Sequence, residues 1–224
     1  MDFERARSAE AKSEREAAIL NSAARLAAER GVREVTLTDI AGGIGMHKST
    51  MLRYFETRED IFLHLASAGW TEWSETVRVR LVELGPNIGG APEVEQAIAA
   101  VASLLADTLV ARPVFCDLLA HTPLNLERGV SFEAVRTFKI GTVAASRSVG
   151  AALRDVLPLD QSEANNTVSV ATALAGALWQ MAAPGTELRR FYEGAPELAH
   201  ALIEVGPRLT DVLTALLRGY VAAP

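Results

Sequence analysis

Lys48, Ser49, Thr50, Arg53 and Tyr54 fall within one short stretch, KSTMLRY. Such a group offers positive charge and hydrogen-bond donors to a polyanion. Lys and Arg neutralise phosphates, hydroxyls fix register on a backbone, and an arginine fork pairs with the O6/N7 edge of guanine. Elements to hold these residues follow from the surrounding spacing. Thr36 with Asp39 three residues on is a capping-box-like start, and Leu37, Ile40, Ala41 and Ile44 recur at helical spacing. Gly45 supplies a turn where positive φ is expected. A second short helix then runs from Lys48 to Tyr54, with Met51 and Phe55 on its inner face. Two helices joined by a tight glycine turn, the second polar, make a helix-turn-helix that presents its second helix to a DNA major groove.

The order Thr36, Asp39-Ile40-Ala41, Gly45-Met46, Lys48, Thr50, Tyr54-Phe55 and then Arg58-Glu59 resembles the TetR/AcrR family of transcriptional repressors. The resemblance is specific from about Ala17 to Phe62; beyond Trp70 it rests on length and an all-helical pattern. It implies DNA contacts from Thr36, Thr38, His47, Lys48, Ser49, Thr50, Arg53 and Tyr54. Thr36, Thr50 and Tyr54 would donate to phosphates, while Ser49 and Arg53 would sit nearest base edges. Three departures thin the pattern: Gly42-Gly43 where charged or bulky polar residues are usual, His47 at a position commonly Ser or Thr, and Leu52 for a frequent Tyr. Two glycines in a short helix cost about 1 kcal/mol each relative to Ala, which makes that helix a soft element.

Other chemistries find little support. Gly42 to Thr50 has the look of a phosphate loop, but His47 occupies the Gly position before the Lys and no parallel-strand pattern precedes it. Glu197 and His200 have the Glu-x-x-His spacing of carboxylate-bridged metal bundles, yet no other His has a Glu three positions before it. Gly-x-Ser-x-Gly, Cys-x-x-Cys and His-Glu-x-x-His are all absent. No enzymatic activity, metal or cofactor is expected. Cys116, the single cysteine, lies in the apolar run Val114–Leu119 and reads as a buried structural thiol.

Formal net charge is −6, unusual for a DNA binder until it is divided. Residues 1–58 hold ten Lys/Arg and nine Asp/Glu, and the remainder twelve and nineteen. DNA binding must therefore rely on a local basic patch, with an acidic body that orients the head. No signal-peptide core and no run of ~18–20 apolar residues is present, so a soluble cytoplasmic protein without a membrane is expected.

The pattern predicts an all-α chain in two parts: a three-helix DNA-binding head, residues 9–60, and a larger helical body for ligand binding and dimerisation, residues 61–224. The first helix should run from Ala9 to Arg30 and end at Gly31, with residues 1–8 loose. Thr57 with Asp60 opens a long helix to Glu83 that couples head to body. Leu84 to Pro92 reads as a loop. Helices follow at 93–111, 113–121, 131–156, 161–182 and 196–221; the strand-like alternation of Arg33 to Leu37 is too short for a sheet. Trp70, Trp73, Phe115, His121, Phe132, Phe138, Trp179 and Met181 are candidate pocket residues, mostly apolar. Leu198, Leu202, Val205, Leu209, Val212 and Leu216 alternate spacings of four and three, the stripe of a helix-packing seam. In the family such helices form a dimer interface; burial in the monomer core would give the same periodicity. An interior proline kinks or breaks a helix, so Pro207 marks either a bend or a start.

Together these readings point to a homodimeric repressor on a palindromic double-stranded operator, released by a small, apolar effector. The alternative is a helical small-molecule-binding protein or enzyme of the same fold without operator binding.

Overall fold

The computed structural model describes residues 2–85, 91–182 and 184–222, with side chains from Glu10 onward except Ala91. Ten α-helices build it, and no strand occurs among the described residues. Helix α1 (Asp2–Arg30) begins earlier than the apolar pattern suggested, because Glu, Ala, Lys and Arg before Ile19 are all good helix formers. It ends where Gly31 takes φ 83°, its N–H on the Ala27 carbonyl at 2.8 Å. The Arg33–Leu37 alternation is not a strand: Val32–Glu34 forms a single 3-10 turn before Val35 extends.

Helices α2 (Leu37–Gly43) and α3 (Lys48–Met51) make the head's motif, and α4 (Arg58–Leu84) runs from it into the body. Helix α4 closes at Gly85, φ 73°. Most of the loop expected over Leu84–Pro92 lies outside the described residues. The body comprises α5 (Ala91–Val110), α6 (Pro113–His121), α7 (Phe132–Val156), α8 (Gln161–Ala182), α9 (Glu187–Glu193) and α10 (Val205–Val221). Between α6 and α7, Thr122–Leu126 forms a π-type turn, with the Glu127 N–H reaching back to the Thr122 carbonyl. Helix α8 opens on a reciprocal cap: the Asp160 N–H donates to Glu163 and the Glu163 N–H to Asp160.

Two departures from the sequence pattern stand out. The short α9, capped by Thr186, lies where no helix was expected, between those at 161–182 and 196–221. The helix expected over 196–221 is two pieces, a 3-10 segment Pro196–Ala201 and then α10, separated at Leu202–Glu204. Pro207 falls in the first turn of α10, where its missing N–H has no intrahelical partner to lose.

Two apolar clusters fill the molecule. The head's cluster gathers Ile19, Val35, Ile40, Met51, Phe55, Ile61 and Phe62, and continues into Leu118, Leu126 and Phe138 of the body. The body's cluster gathers Trp73, Leu105, Leu109, Leu153, Val168, Leu209, Leu213 and Leu217. Each such large side chain fully removed from water contributes about 1.5–3 kcal/mol. Trp70 packs against both clusters. Where α8 crosses α6, a Cβ on Gly176 would lie 2.8 Å from the Ala120 nitrogen, so only glycine permits that approach.

Candidate nucleic-acid interface

Local hydrogen bonds set the motif's shape. The Thr36 hydroxyl accepts from the Asp39 N–H at 3.2 Å, and the Asp39 carboxylate takes the Thr36 N–H at 2.8 Å, a complete capping box. The C-terminus of α2 is a Schellman closure. The Met46 N–H donates to Ala41 (2.9 Å) and the Gly45 N–H to Gly42 (3.3 Å), around Gly45 at φ 63°. That left-handed residue turns the chain so that α3 crosses α2. Met51 and Phe55 anchor it from below, fully and almost fully buried.

Helix α3 is shorter than the expected Lys48–Tyr54. The Arg53 N–H bonds to Thr50 and the Tyr54 N–H to Met51, so the chain tightens into turns after Met51 and carries both residues there. Thr36, Thr38, His47, Lys48, Ser49 and Arg53 are exposed, and Thr50 and Tyr54 are half-buried. Among the described residues, no carboxylate lies within ion-pair distance of Lys48 or Arg53. His47 is the α3 N-cap residue but makes no side-chain cap bond. Thr36 is committed elsewhere: its hydroxyl also donates to Asp39 at 2.6 Å, so its proton is not free for a phosphate.

The head is tied down by its neighbours. Arg58 donates to the carbonyls of Val35 and Val32 and lies 4.7 Å over the Phe62 ring, clamping the 3-10 turn to α4. Thr57 caps α4 through the Asp60 N–H and donates to the Gly129 carbonyl. Asp60 also accepts from the Glu56 N–H and pairs with His64 at 3.2 Å. Burial opposes the Asp60 charge, but His64 and the Glu56 N–H outweigh it and hold its pKa below the usual carboxylate value.

Asp117 is the connection that sequence reasoning missed. This buried α6 carboxylate accepts from the Val32 N–H in the head at 2.6 Å and from Gln180 Nε2 on α8 at 2.7 Å, and lies 3.3 Å from His121 Nε2. A lone Asp in the apolar run around Cys116 was the available signal. Cys116 itself is buried, its thiol pushed up to about 12 chiefly by desolvation and further by Asp117.

The pocket candidates are not brought together in one cavity. Trp73 is sealed in the core, its Nε1 donating to Thr108, and Trp70 and Phe115 pack edge-on to one another. Phe132 and Met181 are on the surface, 95% and 58% exposed. Trp70 and Phe138 share a cavity of about 270 Å³ with Leu119, Thr122, Glu127 and Thr172. His121 and Trp179 instead line a cleft of about 560 Å³ between head and body. The seam divides as well: Val205 and Leu209 face the protomer's own core, Leu216 packs at its margin, and Val212 is exposed. Leu198 and Leu202 precede α10 and are half-buried. Glu197 and His200 are exposed on the 3-10 segment.

Comparison with known proteins agrees with this geometry. Residues 19–65 match the family of bacterial regulatory proteins, tetR family, and residues 67–224 match a tetracyclin repressor-like C-terminal domain. The second match alone spans more than half of the chain, which therefore belongs to the TetR family. It is a DNA-binding transcriptional regulator with a ligand-binding C-terminal domain. No curated protein matches the sequence. Among solved structures, a putative TetR-family regulator from Mesorhizobium loti aligns with TM-score 0.53 at 14% identity, covering 94% of this chain and 96% of its own. The fatty acid degradation regulator FadR from Bacillus halodurans gives 0.52 at 16%, covering 91% and 96%. A TetR/AcrR regulator from Thermobifida fusca gives 0.51 at 18%, covering 92% and 98%. At these identities the likeness is one of fold.

Proposed function

We propose that this regulator is a homodimeric repressor whose two heads hold a palindromic operator and which a small apolar ligand releases. The observation that carries the reading is the pair of exposed, uncompensated cations, Lys48 and Arg53, on a recognition element anchored in the head's core by Met51 and Phe55. Lys48, His47, Thr50 and Tyr54 position the head on the backbone, while Ser49 and Arg53 face the base edges, with Arg53 reading a base. Residues 9–60 act as the head and 61–224 as the body. Helix α4 belongs to both, since it starts at the motif and carries Trp70 to the body cavity.

Trp70, Leu119 and Phe138 give that cavity its apolar walls. The hydroxyls of Thr122 and Thr172 donate to their own helix carbonyls, so they offer a ligand few donors. A ligand wedged there would bear on α4 and shift the spacing of the heads. By linkage, DNA and ligand then weaken each other's binding by the same factor. For the dimer, α8 exposes the small residues Ser169 and Ala177, and α10 exposes Val212 and Ala215; small side chains permit close helix approach. A two-fold dimer requires half-sites about one helical turn apart, ~34–36 Å.

The test is an operator obtained by selection from random duplexes, followed by binding of Arg53→Ala. Affinity should fall by about 1–3 kcal/mol, with sequence preference relaxed at one position per half-site. An unchanged affinity and an unchanged sequence profile would remove Arg53 from the base-reading role. Failure of the wild-type chain to select any sequence would favour a ligand-binding protein of this fold without an operator.

A further inference from the structure

Arg15 lies on α1, four residues before the first core residue of the head, in a stretch that is otherwise solvated. Its Nη1 donates to the Tyr54 hydroxyl at 3.0 Å, a bond between residues 39 apart in sequence. Tyr54 is the half-buried hydroxyl at the end of the recognition segment, beside exposed Arg53. A phenol that accepts from a guanidinium keeps its own proton for another acceptor. Only one of the five guanidinium donors is used in this bond, and among the described residues no carboxylate pairs with Arg15.

We propose that Arg15 is a DNA-contacting and positioning residue: it turns the Tyr54 hydroxyl toward a phosphate and sets its own charge on the same stretch of DNA backbone. Helix α1 thereby supplies a cation to an interface whose phosphate contacts are thinned by Leu52 and by the commitment of Thr36 to Asp39. The cation lies against the recognition element, so its charge acts at the DNA and not merely on the field of the whole head. The inference rests on the DNA-binding reading of the α2–α3 motif.

The experiment measures full-length protein on a selected operator and on a mixed-sequence duplex, across a salt series. Each phosphate neutralised contributes about 0.9 to the slope of log affinity against log salt. Arg15→Ala should lower that slope by about 0.9 per protomer on both duplexes, leaving sequence preference intact. Arg15→Lys should restore the slope, because it keeps the charge. Tyr54→Phe should weaken binding without changing the slope, and Arg15→Ala should still lower the slope in that background. Arg136→Ala, which removes a charge from the body, should leave the slope unchanged. An unchanged slope in Arg15→Ala, with or without lost thermal stability, would reduce the Arg15–Tyr54 bond to a brace and overturn the proposal. A wild-type chain that binds neither duplex would instead remove the DNA-binding reading itself.

Discussion

Gly42 and Gly43 are adjacent in α2 but meet different surroundings. A Cβ on Gly42 would stand in open space, whereas one on Gly43 would lie 2.5 Å from Ser22 Oγ. Ser22 is buried, and its hydroxyl donates to the Ile40 carbonyl. Gly42→Ala should therefore stabilise the head by up to about 1 kcal/mol, the helix preference of Ala over Gly. Gly43→Ala should destabilise it, because Ser22 must turn away and leave a buried hydroxyl bond unmade, a cost of about 1–3 kcal/mol. Urea denaturation of the two single variants checks this; equal effects would mean that Ser22 reorients freely. The sequence suggests that both glycines soften one helix alike, and only the packing of α1 separates them. The same limit applies elsewhere at this scale. The Thr36–Asp39 cap was legible because both partners lie within one turn. Arg15–Tyr54 was not, since nothing local pairs residues so far apart.

At the scale of elements, apolar periodicity identified α4, α6, α7 and α8 because each carries a continuous stripe and a local start signal. It failed at the C-terminus for a physical reason. Leu198 to Leu216 keeps helical spacing across Leu202–Glu204, where the chain leaves the helix, and periodicity is blind to such a break. Nor does it say which side of a stripe meets the protomer's own core. Val205, Leu209, Leu213 and Leu217, spaced by four, are the buried line of α10, while Val212 is 38% exposed. Leu209→Ala should thus cost about 2–5 kcal/mol of protomer stability, as expected of a buried Leu. Val212→Glu should leave the fold intact and, if α8 and α10 form the dimer face, bury a charge without a partner and split the dimer. Light scattering with calorimetry distinguishes the two variants. A folded Val212→Glu chain that stays dimeric would place the interface on another face.

For the whole molecule, the question is how a head and a body whose apolar clusters meet at Trp70 act together. Helix α4 is one tie, the packing of Leu118, Leu126 and Phe138 into the head's cluster is a second, and Asp117 is a polar third. Its carboxylate joins the Val32 N–H of the head to Gln180 of α8 and His121 of α6, at the edge of the head–body cleft. Burial works against the charge, but hydrogen bonds from His121, Val32 and Gln180 prevail and hold the Asp117 pKa below its ordinary value. A folded pKa depressed below the unfolded value, about 3.9, means that the stabilisation is present above that pH. It is lost as pH falls through the folded pKa. Asp117→Ala leaves the Val32 N–H buried without an acceptor, so stability at neutral pH should fall by about 1–3 kcal/mol, and the acid-side loss should flatten. The functional consequence follows from the same bond. With that bond removed, movement of the body reaches the head through α4 and the apolar packing of Leu118, Leu126 and Phe138, and the factor by which ligand and operator weaken each other should shrink. Denaturation between pH 3 and pH 7 reads the first effect, and operator titration with and without ligand reads the second. A variant that is less stable but keeps the full linkage would make Asp117 a structural tie and leave the coupling to α4 and the apolar packing between head and body.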